Sequence, residues 1–130
     1  MPPRLLTVAE VLEIHRRQVE RFGGLPGVRD AGLLDSALAM PAAAFGGVPL
    51  HADLYEMAAA YLFHLAKNHP FFDGNKRTGG IVARVFLLTN DVSFSPSEID
   101  YGDLVLGVAS GKLDKQVAIA FFKEHVKRPK

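Results

Sequence analysis

Helix-start signals recur along this chain, and each is followed by apolar residues at helical spacing. A Ser, Thr or Asp side chain that accepts a hydrogen bond from an amide in the first helical turn is the usual N-cap, and Glu three residues on completes a capping box. The signals are Thr7 with Glu10, Asp30, Asp53 with Glu56, Ser95 with Glu98, and Asp114. No segment of useful length alternates as a half-buried strand does, and no repeat is present. The pattern predicts an all-α fold.

Stop signals divide the chain into helices of ordinary length. The predicted helices run from residue 7 to the stop at Gly23, from 30 to the stop at Pro41, from 53 to just before His69, from about 77 to 89 with Asn90 as the stop, from 95 to Gly111 with Pro96 in the first turn, and from 114 through Val126. Between the second and third helices, residues 42–51 lose the periodicity, which predicts a loop or a small hairpin.

The composition is that of one globular domain spanning residues 1–130. Apolar residues make up 48% of the chain and charged residues 22%, which excludes a disordered chain. The net charge is only +1, so no overall field favours direct binding of nucleic acid or of a membrane surface. The chain has no cysteine, which excludes disulfides and thiolate metal sites. Its longest apolar stretch, residues 57–66, is too short to span a bilayer, and we expect a cytoplasmic protein.

The densest group of chemically active side chains is the segment His-Pro-Phe-Phe-Asp-Gly-Asn-Lys-Arg-Thr at residues 69–78. Pro70 disfavours helical geometry at His69, which should therefore end the third helix with an exposed imidazole suited to general base catalysis. Phe71 is expected to anchor the segment in the core. Asp73 is the only carboxylate here, and Mg²⁺ commonly takes one or two protein carboxylates together with phosphate oxygens. Asp73 is therefore the candidate metal ligand.

The second half of this segment suits phosphate binding. Gly74 and Asn75 precede the fourth predicted helix, so free amides and the positive end of the helix dipole should face the ligand. Arg77 can bind phosphate through two parallel hydrogen bonds, and Lys76 adds a point charge. Together they could neutralise a phosphoryl group in transfer. Thr78 completes the predicted phosphate-binding set.

The segment resembles the signature of the Fic/Doc superfamily, His-x-Phe-x-(Asp/Glu)-Gly-Asn-(Gly/Lys)-Arg, at every position. Residues 27–38 and 108–111 are similar to the death-on-curing branch, the Doc toxins. The resemblance implies a compact bundle of about six helices, with residues 42–51 as a flap that holds the target protein by strand addition. The implied flap residues are Phe45, Gly46, Gly47 and Val48.

The same resemblance implies a role for each residue of the segment. His69 would be the catalytic base, Asp73 would hold Mg²⁺, and Asn75 with the loop amides would bind the phosphates of ATP. Lys76 and Arg77 would act on the nucleotide.

The residue after Asn75 distinguishes two reactions within this family. Adenylylating Fic proteins have glycine there and transfer AMP. A longer side chain at this position, as in Lys76, resembles the Doc branch, in which Doc is a protein kinase that inactivates elongation factor Tu by phosphorylating a threonine. The inhibitory pattern of many Fic proteins, Ser/Thr-x-x-x-Glu-Gly/Asn, is absent from the sequence. The resemblance therefore implies restraint in trans by an antitoxin similar to Phd.

Two alternatives to this hypothesis remain open. The first is an adenylyltransferase that uses the same residues, and Gly74 is the feature that favours it. The second is a non-catalytic binding domain that keeps the segment for packing. The other histidines, at positions 15, 51, 64 and 125, lack metal-ligand spacing with one another, and His64 is expected to pack or to cap a helix.

Overall fold

The computed structural model describes residues 2–127, which form six α-helices and two short antiparallel sheets. The helices are α1 (Val8–Phe22), α2 (Ala31–Ala39), α3 (Leu54–Asn68), α4 (Asn75–Thr89), α5 (Glu98–Ser110) and α6 (Lys115–Glu124). The strands are β1 (Ala44–Phe45), which pairs with β2 (Val48–Pro49), and β3 (Ser93–Phe94), which pairs with β4 (Val126–Lys127). The predicted helical bundle with a small hairpin is confirmed.

Four of the five predicted N-cap residues are confirmed. The Thr7 side chain accepts a hydrogen bond from the Glu10 amide, and the Glu10 carboxylate accepts one from the Thr7 amide, which closes the capping box of α1. Asp30, Asp53 and Asp114 each accept from the amide three residues further on. Such caps contribute about 1 kcal/mol each, because they satisfy amides that the helix leaves unpaired.

The predicted start of α5 is wrong. Ser97 is the N-cap, and its hydroxyl accepts from the Asp100 amide, so Pro96 lies outside the helix. The reason is a tertiary contact: the Ser95 amide donates to the His125 carbonyl next to the β3–β4 pair. The same pair corrects the end of α6, because Val126 belongs to β4 rather than to the helix.

The fourth helix also differs from the prediction, since it begins at Asn75 rather than near Arg77. Gly74 is its N-cap, in the left-handed conformation with φ 78°. Asn75 and Lys76 therefore lie in the first turn of α4. This brings their amides to the positive end of the helix.

Helix α3 is the centre of the core, and α4 packs against it along most of its length. The buried residues of α3 are Met57, Ala58, Ala59, Ala60, Tyr61, Leu62, Leu65 and Ala66. A Cβ on Gly79 of α4 would lie 3.2 Å from the Leu62 carbonyl, so the two helices approach closely at this point. Helices α2, α5 and α6 also pack on α3. Within residues 2–127, no helix is both long and apolar enough to cross a membrane.

Candidate active site

His69 ends α3 and begins the loop to α4. We call residues 69–74 the active loop. His69 adopts the left-handed conformation, with φ 50° and ψ 53°, and its side chain is exposed. This conformation is uncommon for a residue with a side chain, and it turns the chain away from the helix axis. The predicted exposed imidazole at the helix end is confirmed.

One cavity of about 520 Å³ collects most of the predicted site residues. His69 and Asp73 line it together with Lys76 and Arg77 from the start of α4. The remaining lining residues are Ala66, Phe72, Gly74, Asn75, Leu106, Ala109 and Ser110. The last three belong to α5, and sequence reasoning did not predict that they form a wall of the site. For Ala109 and Ser110 the only signal was the family resemblance of residues 108–111, and Leu106 had none.

Asp73 is exposed, and its carboxylate is oriented by the backbone. Its Oδ2 accepts a hydrogen bond of 2.6 Å from the Leu25 amide. Within residues 2–127, no three His, Cys, Asp or Glu side chains cluster to hold a metal ion. An ion at Asp73 would therefore complete its coordination with phosphate oxygens and water, which is how Mg²⁺ is commonly held. The donor set fits Mg²⁺ bound together with a nucleotide.

Asn75 is buried, and its side chain closes the active loop. Its amide nitrogen donates to the Phe71 carbonyl at 3.0 Å, and its oxygen accepts from the Phe71 amide at 2.9 Å. The side chain is thus engaged with the loop backbone. Its predicted contact with phosphates stays a prediction.

The start of α4 presents amides that no cap satisfies. Gly74 has no side chain, and the first intrahelical bond runs from the Thr78 amide to the Gly74 carbonyl. The amides of Asn75, Lys76 and Arg77 precede that bond, so α4 leaves them free for an anion.

The two cations are exposed, and Thr78 is not. The Arg77 guanidinium lies 4.0 Å from the centre of the Phe22 ring, where cation–π attraction restrains its position. Lys76 and Arg77 also line a second groove of about 510 Å³ between α1, α4 and α5. Thr78 is fully buried and its hydroxyl has no hydrogen-bond partner within the described residues. Its predicted contact with phosphate gains no support from this position.

Residues 24–30, which we call the bracing segment, run alongside the active loop. The Arg29 side chain donates to the carbonyls of His69, at 2.8 Å, and Asn68, at 3.3 Å. The amides of Arg29 and Asp30 both donate to the Pro70 carbonyl. Residues 27–30 of this segment belong to the family-like stretch of the sequence, but no pattern in it indicated a role. Its function as a brace depends on pairing across some 40 residues, which no local pattern shows.

The active loop is also attached to the hydrophobic core. Phe71 is almost fully buried, which confirms its predicted anchoring role. Its ring stacks on the His15 imidazole, with centroids 3.8 Å apart and planes 7° apart. His15 Nε2 lies 2.8 Å from the Asp73 carbonyl oxygen.

Comparisons with known proteins show the family of this chain. Residues 5–87 match the model of the Fic/DOC family. The chain belongs to the Fic/DOC family. It is 44% identical to a protein named Toxin Doc from Mycolicibacterium smegmatis over 72% of this chain and 73% of the relative. It is 34% identical to Protein kinase doc of Escherichia phage P1 over 85% of this chain and 86% of that relative.

The predicted flap of this Fic/DOC protein is a short β-hairpin with a two-residue turn. Phe45 faces Val48 across the pair, and Gly46 and Gly47 form the turn with φ 57° and 81°. Two consecutive positive φ angles define the tight turn that matches the twist of the strands, and Gly allows them without strain. Both apolar side chains are exposed, and neither lines the cavity at His69. Target binding by these residues stays a prediction.

Outside the Fic/DOC signature, the histidines have structural partners. The Lys115 ammonium lies 2.9 Å from Nε2 of His64 and 3.2 Å from Nε2 of His51, and an ammonium can only donate. Burial, and then the nearby Lys115 charge, lower the pKa of His64 to about 4. Burial also lowers the pKa of Lys115. His125 packs on Phe121 and bonds to its carbonyl. The expected packing of His64 is confirmed, since its ring meets Lys115 and the edge of Phe63.

Proposed function

We propose that this chain is a Doc-type toxin that transfers the γ-phosphoryl group of ATP to a Thr or Ser hydroxyl of a translation factor. By resemblance to Doc, the factor is elongation factor Tu and the outcome is arrest of translation in the cytoplasm. The observation that carries the proposal is the single cavity that holds His69, Asp73, Lys76 and Arg77. The names of the two relatives, a Doc toxin and a Doc protein kinase, support it.

The chemistry assigns one role to each group. His69 takes the proton of the target hydroxyl while the hydroxyl oxygen forms a bond to the γ-phosphorus of ATP. The bond between that phosphorus and the β–γ bridging oxygen breaks at the same time, which releases ADP. Lys76, Arg77 and the amides at the start of α4 hold the phosphate oxygens, where negative charge is concentrated. Asp73 would hold Mg²⁺, which supplies further neutralisation of the phosphates.

Lys76 is the reason to favour phosphoryl over adenylyl transfer. Its four-carbon stem and ammonium occupy the position that is glycine in adenylylating relatives. The side chain fills space that the α- and β-phosphates would need for AMP transfer, and it offers a cation to a γ-phosphoryl group instead.

The test is the intact mass of elongation factor Tu after incubation with the protein, ATP and Mg²⁺. We expect a gain of one phosphoryl group with the wild type. Lys76→Gly should weaken this modification and allow some AMP transfer, whereas Lys112→Gly, which removes an exposed lysine outside the cavity, should behave like the wild type. An adenylyl gain from the wild-type protein would contradict the kinase assignment and support the first alternative. No modification of any translation factor would favour a non-catalytic binding domain.

We also propose that an antitoxin similar to Phd restrains the enzyme in trans from the second groove. The groove combines the apolar side chains of Phe22, Ile81 and Leu106 with the cations of Arg21 and Arg84, and it shares Lys76 and Arg77 with the cavity. The Glu98 carboxylate also lines the groove and pairs with Arg84, so four cations stand against one anion and the rim keeps a net positive charge. An acidic amphipathic helix fits both this apolar floor and this rim. Docking there would cover the two cations that hold the nucleotide.

The antitoxin proposal is tested by reversing charge at the rim. The double variant Arg21→Glu and Arg84→Glu should escape neutralisation by the cognate antitoxin in a growth assay and still modify elongation factor Tu. Retained neutralisation would place the antitoxin elsewhere.

A further inference from the structure

We propose that His15 is a positioning residue for the active loop. Its Nε2–H donates to the Asp73 carbonyl and so sets the peptide unit between the metal-binding carboxylate and the N-cap of α4. This inference rests on the proposed function, because it concerns the same site. It assigns a role to a histidine of α1 that does not itself line the cavity at His69.

The environment of His15 is unusual for a polar side chain. The residue is only 4% exposed, in the part of α1 that faces the core. A buried polar group costs free energy unless it is hydrogen-bonded, and here the partner is the Asp73 carbonyl at 2.8 Å. Because a carbonyl can only accept, Nε2 carries the proton, which defines the tautomer. An apolar residue would fill this space without that bond.

The Asp73–Gly74 peptide is where rotation would do the most harm. The carboxylate of Asp73 is held by the Leu25 amide, and the Phe71 backbone is held by Asn75. Neither side chain forms a hydrogen bond with the Asp73 carbonyl. Gly74 takes a left-handed conformation, so an unheld peptide could turn over and carry the start of α4 with it. The His15 bond holds this carbonyl.

The imidazole ring also lies next to the Asp73–Gly74 peptide on the Gly74 side. A Cβ built on Gly74 would lie 3.7 Å from Cδ2 and Nε2 of His15, which is ordinary van der Waals contact. The imidazole thus contacts the active loop at Phe71 and Asp73 and lies beside Gly74. Loss of the donor should displace the groups that bind Mg²⁺ and phosphate without removing any of them.

Two substitutions of similar length separate the hydrogen bond from the ring. His15→Gln and His15→Met both lose the stack on Phe71, but only Gln can donate to the Asp73 carbonyl. We expect His15→Met to lower kcat for phosphorylation of elongation factor Tu by about 10- to 100-fold, the range that a small misplacement of catalytic groups produces. His15→Gln should stay within a few-fold of wild type. The KM for the protein substrate should change little in either variant.

Hydrogen exchange of the peptide covering residues 70–77 gives a readout that does not need activity. The amides of this peptide should exchange faster in His15→Met than in His15→Gln, while peptides of α6 exchange alike in both. Inactive wild-type protein would refute the proposed function, and the exchange comparison would still decide the role of His15. If His15→Met does not fold, His15→Phe, which keeps a ring and lacks the donor, replaces it.

Equal kcat and equal exchange for the Gln and Met variants would overturn the inference, because the donor would then make no difference. Full activity of a folded His15→Met or His15→Phe variant would overturn it as well.

Discussion

The active loop and the flap hairpin are both surface connections, but they are attached to the molecule in opposite ways. Side chains or amides of the bracing segment, α1 and α4 bond to the active loop at almost every residue from His69 to Asp73. The hairpin has its own strand pairing and a bond from the Leu50 amide to the Ala43 carbonyl. Within residues 2–127, no helix packs extensively against it.

The difference matches what each region has to do. Phosphoryl transfer needs reacting groups held within a fraction of an ångström, so a rigid loop backbone with exposed side chains suits it. A hairpin that captures an extended segment benefits from open strand edges and from freedom to adjust. Phe45 is 83% exposed and Val48 67% exposed, so burial contributes little to holding them. We therefore expect changes in the loop to affect kcat and changes in the hairpin to affect KM.

The largest expected effect is the loss of the base. His69→Ala should lower kcat by roughly 10²–10⁴-fold, the usual contribution of a general base. The unfolding midpoint should stay nearly unchanged, because the imidazole is exposed and Arg29 holds the backbone carbonyl rather than the side chain. Kinetics of target phosphorylation and thermal unfolding measure the two quantities. Undiminished phosphorylation by His69→Ala would remove His69 from the mechanism.

Two substitutions at Asp73 separate its negative charge from its hydrogen bond with the Leu25 amide. Asp73→Asn keeps an oxygen that can accept from the Leu25 amide but loses the negative charge, so activity and Mg²⁺ dependence should fall while stability is kept. Asp73→Ala loses both and should also lower the free energy of unfolding by about 1 kcal/mol. Activity titrated with Mg²⁺ and denaturant unfolding distinguish them. Phosphorylation that persists in excess chelator would contradict the metal role.

The features that could be predicted from the sequence are those that a few adjacent residues determine. The caps at Thr7 and Asp53 follow from bonds spanning three residues, and the helix end at His69 follows from Pro70 alone. The active loop was likewise visible as one continuous segment. The bracing by Arg29 and the cavity wall at Leu106 depend on tertiary contacts, so no local pattern showed them.

Tertiary contacts also account for the elements that the sequence pattern predicted wrongly. Ser95 has a good capping sequence, yet its amide pairs with the distant His125 carbonyl, and the helix starts two residues later. The two-residue strands β3 and β4 are too short to show alternation. His15 has the helical spacing of a core residue, and its bond to the Asp73 carbonyl gave no sequence signal.

The hairpin should give a smaller, substrate-dependent effect. Phe45→Ala and Val48→Ala should raise the KM for the target protein several-fold, with kcat and the unfolding midpoint little changed, because neither side chain contributes to the core. Leu88→Ala, which removes a similarly exposed apolar side chain from α4, is the matched control and should leave KM unchanged. A fall in kcat with no change in KM would show that the hairpin acts on the chemical step rather than on target binding.

The smallest expected effect concerns the foot of the hairpin, where His51 meets Lys115 and His64. The folded pKa of His64, about 4, lies below its ordinary value of 6.5, so the unfolded chain binds more protons between these values. The stability from neutral His64 is therefore fully present above pH 6.5 and is lost as pH falls towards 4. His64→Gln keeps an acceptor for Lys115 and does not titrate, so its unfolding midpoint should fall less steeply over this range. If the unfolding midpoints of wild type and His64→Gln fall equally steeply between pH 6.5 and 4, acid does not destabilise the protein through His64. Hydrogen exchange of residues 42–52 in wild type should quicken with acid, relative to intrinsic rates, before that of residues 70–77, since His64 lies beside Lys115 and His51 at the foot of the hairpin, whereas the Arg29 guanidinium and the Asn75 amide that hold the active loop do not titrate in this range.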